Sequence, residues 1–346
     1  MLKVMKLTER EKIILGEIVQ NFIENGSPVS SSVISSNRRI GMSAATVRAV
    51  MSDLEKKGYI HQPHTSAGRV PRTTAYRAYV DGMMKTARLS SSEKETIRGP
   101  IRPESELEEV LREVSRILAH LSRQLGIIVT PRMEDGIFER MELVRLSSNR
   151  LLVVITIQSG LIRTIQVEVR SNMKDENLHL VSSLLNERLS GLPISAIRNN
   201  FQSIVNDIKD EESGLVRIFT TRADRLFDFG EDADVYVMGT HHIMKQPDFS
   251  DVQTVSSVVE MVEDRKVIIH LLDSPEDDTD LMVRIGEEME QDGMQECSII
   301  SARYHVGSIS GILGVLGPTR MNYRKLVPLV NFTAQALTNA HGEDQA

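Results

Sequence analysis

Helix-start and helix-stop signals follow one another so closely in the first 85 residues that only short helices and a tight hairpin fit between them. Thr8 followed by Glu11 has the spacing of a capping box, in which each side chain satisfies the other residue's free backbone N–H. Ile14, Ile18 and Phe22, with Leu15 and Val19 beside them, then fall on one helical face, and Asn25-Gly26 supplies a left-handed stop. Pro28 and Ser30–Ser32 restart the chain into a brief helix around Val33 and Ile34, which runs out near Asn37 before a turn over Arg38–Met42. Ser43 caps a third helix whose inward positions Val47, Val50, Met51 and Leu54 repeat at three and four residues, ending at Lys57-Gly58. Tyr59–Gln62 then reads as a short strand, Pro63–Arg69 as a tight polar loop and Val70 as its return. Three helices and a hairpin in this order predict a winged helix-turn-helix over residues 1–85.

The outer face of the third helix is narrow. Ala44, Ala45, Arg48, Ala49 and Ser52 line it, so a backbone could approach base edges closely while Arg48 makes a bidentate bond to guanine. Ser43 and Thr46 sit in the first turn, where hydroxyls and helix N-terminal amides suit a phosphate. The hairpin tip carries His64, Thr65, Ser66 and Arg69, with Gly68 read as a source of flexibility, which equips the loop to follow a phosphate backbone or enter a minor groove. Charge supports this division. The whole chain has a formal charge of −7, yet residues 1–85 hold 13 Lys and Arg against 7 Asp and Glu, leaving 28 against 41 for the other 261. A basic head on an acidic body fits a polyanion such as double-stranded DNA. Single-stranded RNA fits less well, because the chain has no Trp and only 4% aromatic residues with which to stack bases.

Leu7–Ile14 (LTEREKII), Ser43–Val47 (SAATV) and above all Gln62–Pro71 (QPHTSAGRVP) resemble the family of heat-inducible transcription repressors HrcA, as do Tyr76–Asp81 (YRAYVD) and Gly311–Tyr323 (GILGVLGPTRMNY). The resemblance covers both ends of the chain. It implies a cytoplasmic repressor of chaperonin and chaperone operons, which binds an inverted-repeat operator as a homodimer and depends on the chaperonin GroEL for its active form. It also implies that the DNA-contacting elements are Ser43–Ser52 and His64–Arg69. The chain departs from the family pattern at Ala49, where an Asn usually follows the helix-three Arg, and at Arg72–Ala75, where a Lys-Gly pair is usual.

Residues 86–103 combine a polar Ser90–Glu93 run with Gly99-Pro100 and Pro103, the composition of a linker with a short helix inside it. From Glu104 to Gln124 apolar residues recur at helical spacing. Strand-like runs follow at Phe138–Leu146, Leu151–Gln158 and Ile162–Val169, and residues 104–172 are expected to form the first part of an α+β domain. Helical patterns at Leu178–Leu189, Ile194–Asn206 and Leu215–Phe227 mark 173–233 as an inserted helical module. Strands at Asp234–Met238, Val267–Leu272 and Ile309–Gly317, with helices at Val252–Met261 and Lys325–Asn339, are expected to complete the interrupted domain over 234–341. The fold class is thus multidomain α+β, and the resemblance implies a GAF-like domain with a dimerising insert.

Catalytic and metal motifs are wanting. Cys297 is the lone cysteine, which excludes an intrachain disulfide and suits the cytoplasm, and no apolar run is long enough to span a membrane. His241-His242 lacks nearby ligand partners, Asp273–Asp280 lacks the spacing of a calcium loop and reads as a solvated turn, and Gly307, Gly311, Gly314 and Gly317 lack the Lys-Ser/Thr of a phosphate loop and suit close backbone packing. The expectation is a regulator, not an enzyme, with no cofactor. Dimerisation follows from energetics, since one head reading about four or five base pairs cannot outcompete the genome's non-specific sites. The alternative is a winged-helix regulator controlled by a small molecule bound in the GAF-like domain.

Overall fold

The computed structural model describes every residue except 1–5, 66, 103–104, 170–173, 207, 209–214, 228–232, 250–251, 273–279, 290, 292 and 342–346, and the side chains of 252–255 and 341 are likewise set aside. Its chain divides into two compact units, one of residues 1–128, 235–302 and 313–336, the other of 129–234, 303–312 and 337–346.

The first unit opens with α1 (Glu9–Asn25), α2 (Ser31–Ser36) and α3 (Ala44–Lys56), then β1 (Ile60–His61), β2 (Val70–Pro71) and α4 (Thr73–Gly82). The Thr8/Glu11 capping box starts α1, and Gly26 ends it at φ 64°, donating its N–H to Phe22 O. Ile14, Leu15, Ile18 and Val19 are buried, as are Val47, Val50, Met51 and Leu54 of α3. Each such side chain contributes about 1.5–3 kcal/mol by leaving water, and that burial decides which face of α3 remains outside. β1 and β2 pair antiparallel, Ile60 with Pro71 and His61 with Val70.

Helix α4 fixes these elements to the rest of the unit. The Arg77 guanidinium forks onto the Glu288 carboxylate, with Nε at 2.8 Å from Oε1, and also donates to Val283 O and Asp81. Tyr76 lies 6.2 Å, ring to ring, from Tyr323, whose hydroxyl donates to Thr319 O at 2.6 Å. Two of the stretches that carry the family resemblance therefore meet in space. Helices α5 (Ser91–Arg98) and α6 (Leu107–Ser122) follow, then β3 (Leu125–Val129). Ser115 of α6 donates to Gly126 O at 3.0 Å and to Tyr236 O at 3.3 Å, a single hydroxyl serving two strands.

The second unit contains β4 (Phe138–Ser147), β5 (Arg150–Ile157) and β6 (Ile162–Glu168), an antiparallel meander of its own, followed by α7 (Asp175–Leu189), α8 (Ile194–Ile204) and α9 (Leu215–Leu226). Leu151, Val153, Ile155 and Ile157 are buried while the intervening residues are partly exposed, the alternation of a sheet with one covered face. This corrects the grouping of 104–172: the three strands join the helices that follow them instead of the sheet of the interrupted domain.

The chain continues with β7 (Val235–Met238), α10 (Thr240–Ile243), α11 (Val252–Glu263), α12 (Arg265–Leu272), β8 (Leu281–Ile285), β9 (Cys297–Val306), β10 (Ile309–Pro318) and α13 (Tyr323–His341). One five-stranded sheet has the order β7-β3-β10-β9-β8. Architecture is thus mixed α+β, compatible with a GAF-like domain. The strand expected at Val267–Leu272 is instead the helix α12, because Asp264 accepts from the backbone N–H of Lys266 and Val267 and caps it. Strands β3, β8 and β9 went unrecognised in the sequence. The glycine stretch packs closely as expected: a Cβ on Gly314 would lie 2.6 Å from Ile300 O, and one on Gly311 would lie 2.4 Å from the Tyr304 ring. Most of the Asp273–Asp280 turn, residues 273–279, lies outside the described residues.

Gly126 offers a test of the packing between α6 and β3. A Cβ there would stand 2.5 Å from Ser115 O and 2.7 Å from Ala119 N, both backbone atoms that cannot swing aside. Gly126→Ala should lower stability by about 1–3 kcal/mol. Gly82→Ala meets nothing within 4 Å and should leave stability unchanged or raise it by up to about 1 kcal/mol. Urea unfolding midpoints that shift alike for the two variants would contradict the close approach.

Candidate nucleic-acid interface

Ser43 stands at the start of the candidate surface. Its Oγ accepts from Thr46 N at 3.2 Å and lies 2.9 Å from Thr46 Oγ1, so the two hydroxyls hold each other across the first turn of α3. Beyond them Ala45, Arg48 and Ala49 are exposed and Ala44 and Ser52 half-exposed, opposite the buried face. No ion pair holds Arg48 among the described residues, which leaves its guanidinium available to an outside acceptor. Arg38 and Arg39, in the turn before α3, are exposed as well.

The hairpin is more firmly built than its composition suggests. Gln62 Nε2 donates to Thr65 O at 2.8 Å and to Ala67 O at 2.9 Å, closing the loop from inside. Val29 and Arg69 exchange both backbone hydrogen bonds, at 2.9 and 2.8 Å, so the segment before α2 lies along the hairpin as a further extended partner. Gly68 is required there: a Cβ would come within 2.5 Å of Val29 C. Its role is close approach, and the reading of Gly68 as a flexible point is corrected. His64 and Thr65 are exposed at the tip, and Ser66 lies outside the described residues.

Arg69 is also placed differently from expectation. Its Nη2 is 2.9 Å from Glu55 Oε2 and its side chain is only 18% exposed, so it ties the hairpin to α3 instead of standing free for a phosphate. Helix α3 and the hairpin enclose a cleft of about 460 Å³ with Ser30, Ser31, Arg48, Gln62 and Thr65 on its walls. Ser30, Ser31 and Gln62 carry no site signal in the sequence, where the serine run marks a helix start, and Ser30 does accept from Val33 N.

A second contact fixes the same, C-terminal end of α3. Lys57 Nζ lies 2.7 and 2.8 Å from the two Glu11 carboxylate oxygens, one of which also accepts from Thr8 N at 2.8 Å. The Lys57 hydrogen bond, with the Thr8 backbone next, holds the Glu11 carboxyl below its ordinary value of 4.5. A depressed carboxyl stabilises the fold fully above the unfolded value, and that contribution fades as the pH falls below 4.5 through the folded value. Among the described residues no group of three or more His, Cys, Asp and Glu is arranged to hold a metal ion, and no helix is long and apolar enough to cross a membrane.

Residues 108–327 match a family model described as the HrcA protein C terminal domain. Proteins named heat-inducible transcription repressor HrcA are similar over nearly the whole length. That of Chlorobium phaeobacteroides (strain BS1) is 37% identical, covering 96% of this chain and 98% of its own. That of Prosthecochloris aestuarii is 36% identical over 99% of each, and that of Chlorobaculum parvum 39% over 96% and 97%. A crystal structure described as that of a hypothetical protein, at 2.2 Å resolution, has the same fold with a TM-score of 0.62 at 24% identity, covering 97% of this chain and all of its own.

Glu11→Gln should lower the thermal midpoint at neutral pH, with the gap to the unaltered chain closing as the pH drops below 4.5. A gap that persists unchanged in acid would show that the Lys57 contact contributes nothing through charge.

Proposed function

The chain belongs to the HrcA family of heat-inducible transcription repressors, and on that premise we propose that it represses heat-shock genes by gripping duplex DNA with α3 and the hairpin, as a winged helix-turn-helix. The observation that carries this reading is the two-sidedness of α3. Four apolar residues bury one face, while Ala45, Arg48, Ala49 and Ser52 leave the other slim, with one unpaired guanidinium. A helix of that outline fits a major groove, where Arg forms its commonest specific bond, to guanine. Ser43, Ala44 and Thr46 occupy the first turn, which suits a phosphate, and His64, Thr65 and Ser66 belong to the loop that would lie along the backbone. Arg69 is assigned the positioning of that loop through Glu55.

In this reading the protein is a cytoplasmic homodimer on an inverted-repeat operator of chaperonin and chaperone operons, because twofold symmetry in the protein requires it in the DNA. The inserted 173–233 segment is assigned the dimerising role, and 234–341 the return of the GAF-like domain. Heat stress relieves repression, and the chaperonin GroEL is the partner on which the active form depends, both as the family resemblance implies.

Arg48→Ala should weaken specific binding by about 1–3 kcal/mol and relax the preference at one base of each half-site. A quantitative gel-shift series against single-base operator variants reads both quantities. Full affinity with unaltered preference would remove α3 from the proposed interface.

A further inference from the structure

Outside the head, several basic side chains share one cleft of the acidic body. A cleft of about 770 Å³ has Arg123, His242, Lys245, Arg320 and Lys325 on its walls and no Asp or Glu among its lining residues. Arg320 is shared with Asp248 at 2.6 Å and Lys325 with Glu93 at 3.0 Å, but no ion pair holds Arg123 or Lys245 among the described residues. Burial and the neighbouring positive charges hold His242 in its neutral form near pH 7. Burial lowers the His242 pKa, and His241, His120, Lys245 and Arg123 lower it further, the sign of a region that resists added positive charge.

The floor of this cleft is built with care for polar contacts. Gln246 donates to Gln124 Oε1 at 2.9 Å and to Arg123 O at 3.1 Å. Gly317 leaves Gln124 its space, since a Cβ there would fall 2.1 Å from Gln124 Oε1. Arg123 itself is a non-glycine residue held at φ 56°, a left-handed conformation that an Arg side chain opposes and a Gly would accept freely. Keeping Arg at a helix end where Gly is easier is explained if its guanidinium is needed in the cleft. Ile23, Leu121 and Leu326 are the apolar side chains among the lining.

We propose that this cleft binds a small polyphosphate-bearing molecule, of the nucleoside di- or triphosphate class. Its phosphates sit against Arg123, His242 and Lys245, and its organic portion lies against Ile23, Leu121 and Leu326. The volume falls within the range of small-molecule sites, and a lining of cations and apolar side chains without Asp or Glu matches a ligand with an anionic part and an apolar part. Because Ile23 belongs to α1 and the cations to the body, an occupant touches both. The site stands independently of the DNA reading.

Isothermal titration of the full chain with ATP, with adenosine and with inorganic tripolyphosphate tests it. ATP should bind at least tenfold more tightly than adenosine. The pair Arg123→Gly and Lys245→Gln should weaken ATP at least tenfold while the thermal midpoint and the affinity for duplex DNA stay as they were, Gly being at ease in the left-handed position. Absence of binding by both ATP and tripolyphosphate at millimolar concentrations would overturn the proposal, as would equal binding of adenosine and ATP, or ATP binding unmoved by the paired substitutions. If ATP fails to bind and the substitutions instead weaken duplex DNA binding, the cleft is a DNA contact and the small-molecule site is again overturned.

Discussion

Lys57 reaches across the end of α3 to the carboxylate of Glu11, which at the same time closes the capping box of α1. One buried carboxylate thereby fixes where α1 begins and how α3 lies on it. The buried apolar faces of both helices decide which side of each turns inward, but hydrophobic burial is not itself directional. A charge-assisted hydrogen bond is directional, and it ties the end of α3 to the start of α1, while burial of the opposite face leaves Ala45, Arg48 and Ala49 outside. Two residues before Lys57, Glu55 ties the last turn of α3 to Arg69 of the hairpin. The proposed reading head is thus held by two ion pairs at the C-terminal end of α3, and the exposed Ala45, Arg48 and Ala49 lie N-terminal to both.

Arg77 extends the same logic to the body. Its fork onto Glu288, beside the Tyr76–Tyr323 contact, makes α4 a rigid connection between the three-helix head and the five-stranded sheet. Breaking such a partly buried pair strands a charge, so the join resists small rotations. For a protein proposed to read two half-sites at once, a stiff join matters, because the spacing between heads must match the spacing in DNA.

Much of the head was legible in the sequence because its signals are local. The Thr8/Glu11 box, the Ser43 cap, the Asn25-Gly26 stop and the period of Val47, Val50, Met51 and Leu54 each act within a few residues. What escaped notice depends on distant partners. Glu55 lies 14 positions before Arg69, and nothing at either position announces their pairing; Gly68 looks like a flexible point until Val29 is found against it. Strand β9 is buried along nearly its whole length, so the alternation that betrays a half-covered strand is missing. Val267–Leu272 is apolar and short, a pattern that suits strand and helix equally until the Asp264 cap is seen. The grouping of β4 to β6 with the helices after them depends on which sheet each strand joins, a choice that turn chemistry alone does not make. Arg123 carried no sequence signal, because its left-handed backbone is visible only in three dimensions.

Footprinting of the full chain on the promoter of its own chaperonin operon tests the central claim most directly. The account predicts protection of two half-sites related by a twofold axis, lost together as salt rises and absent from a scrambled promoter of the same composition. Protection without symmetry, or equal protection of the scrambled fragment at every ionic strength, would contradict it.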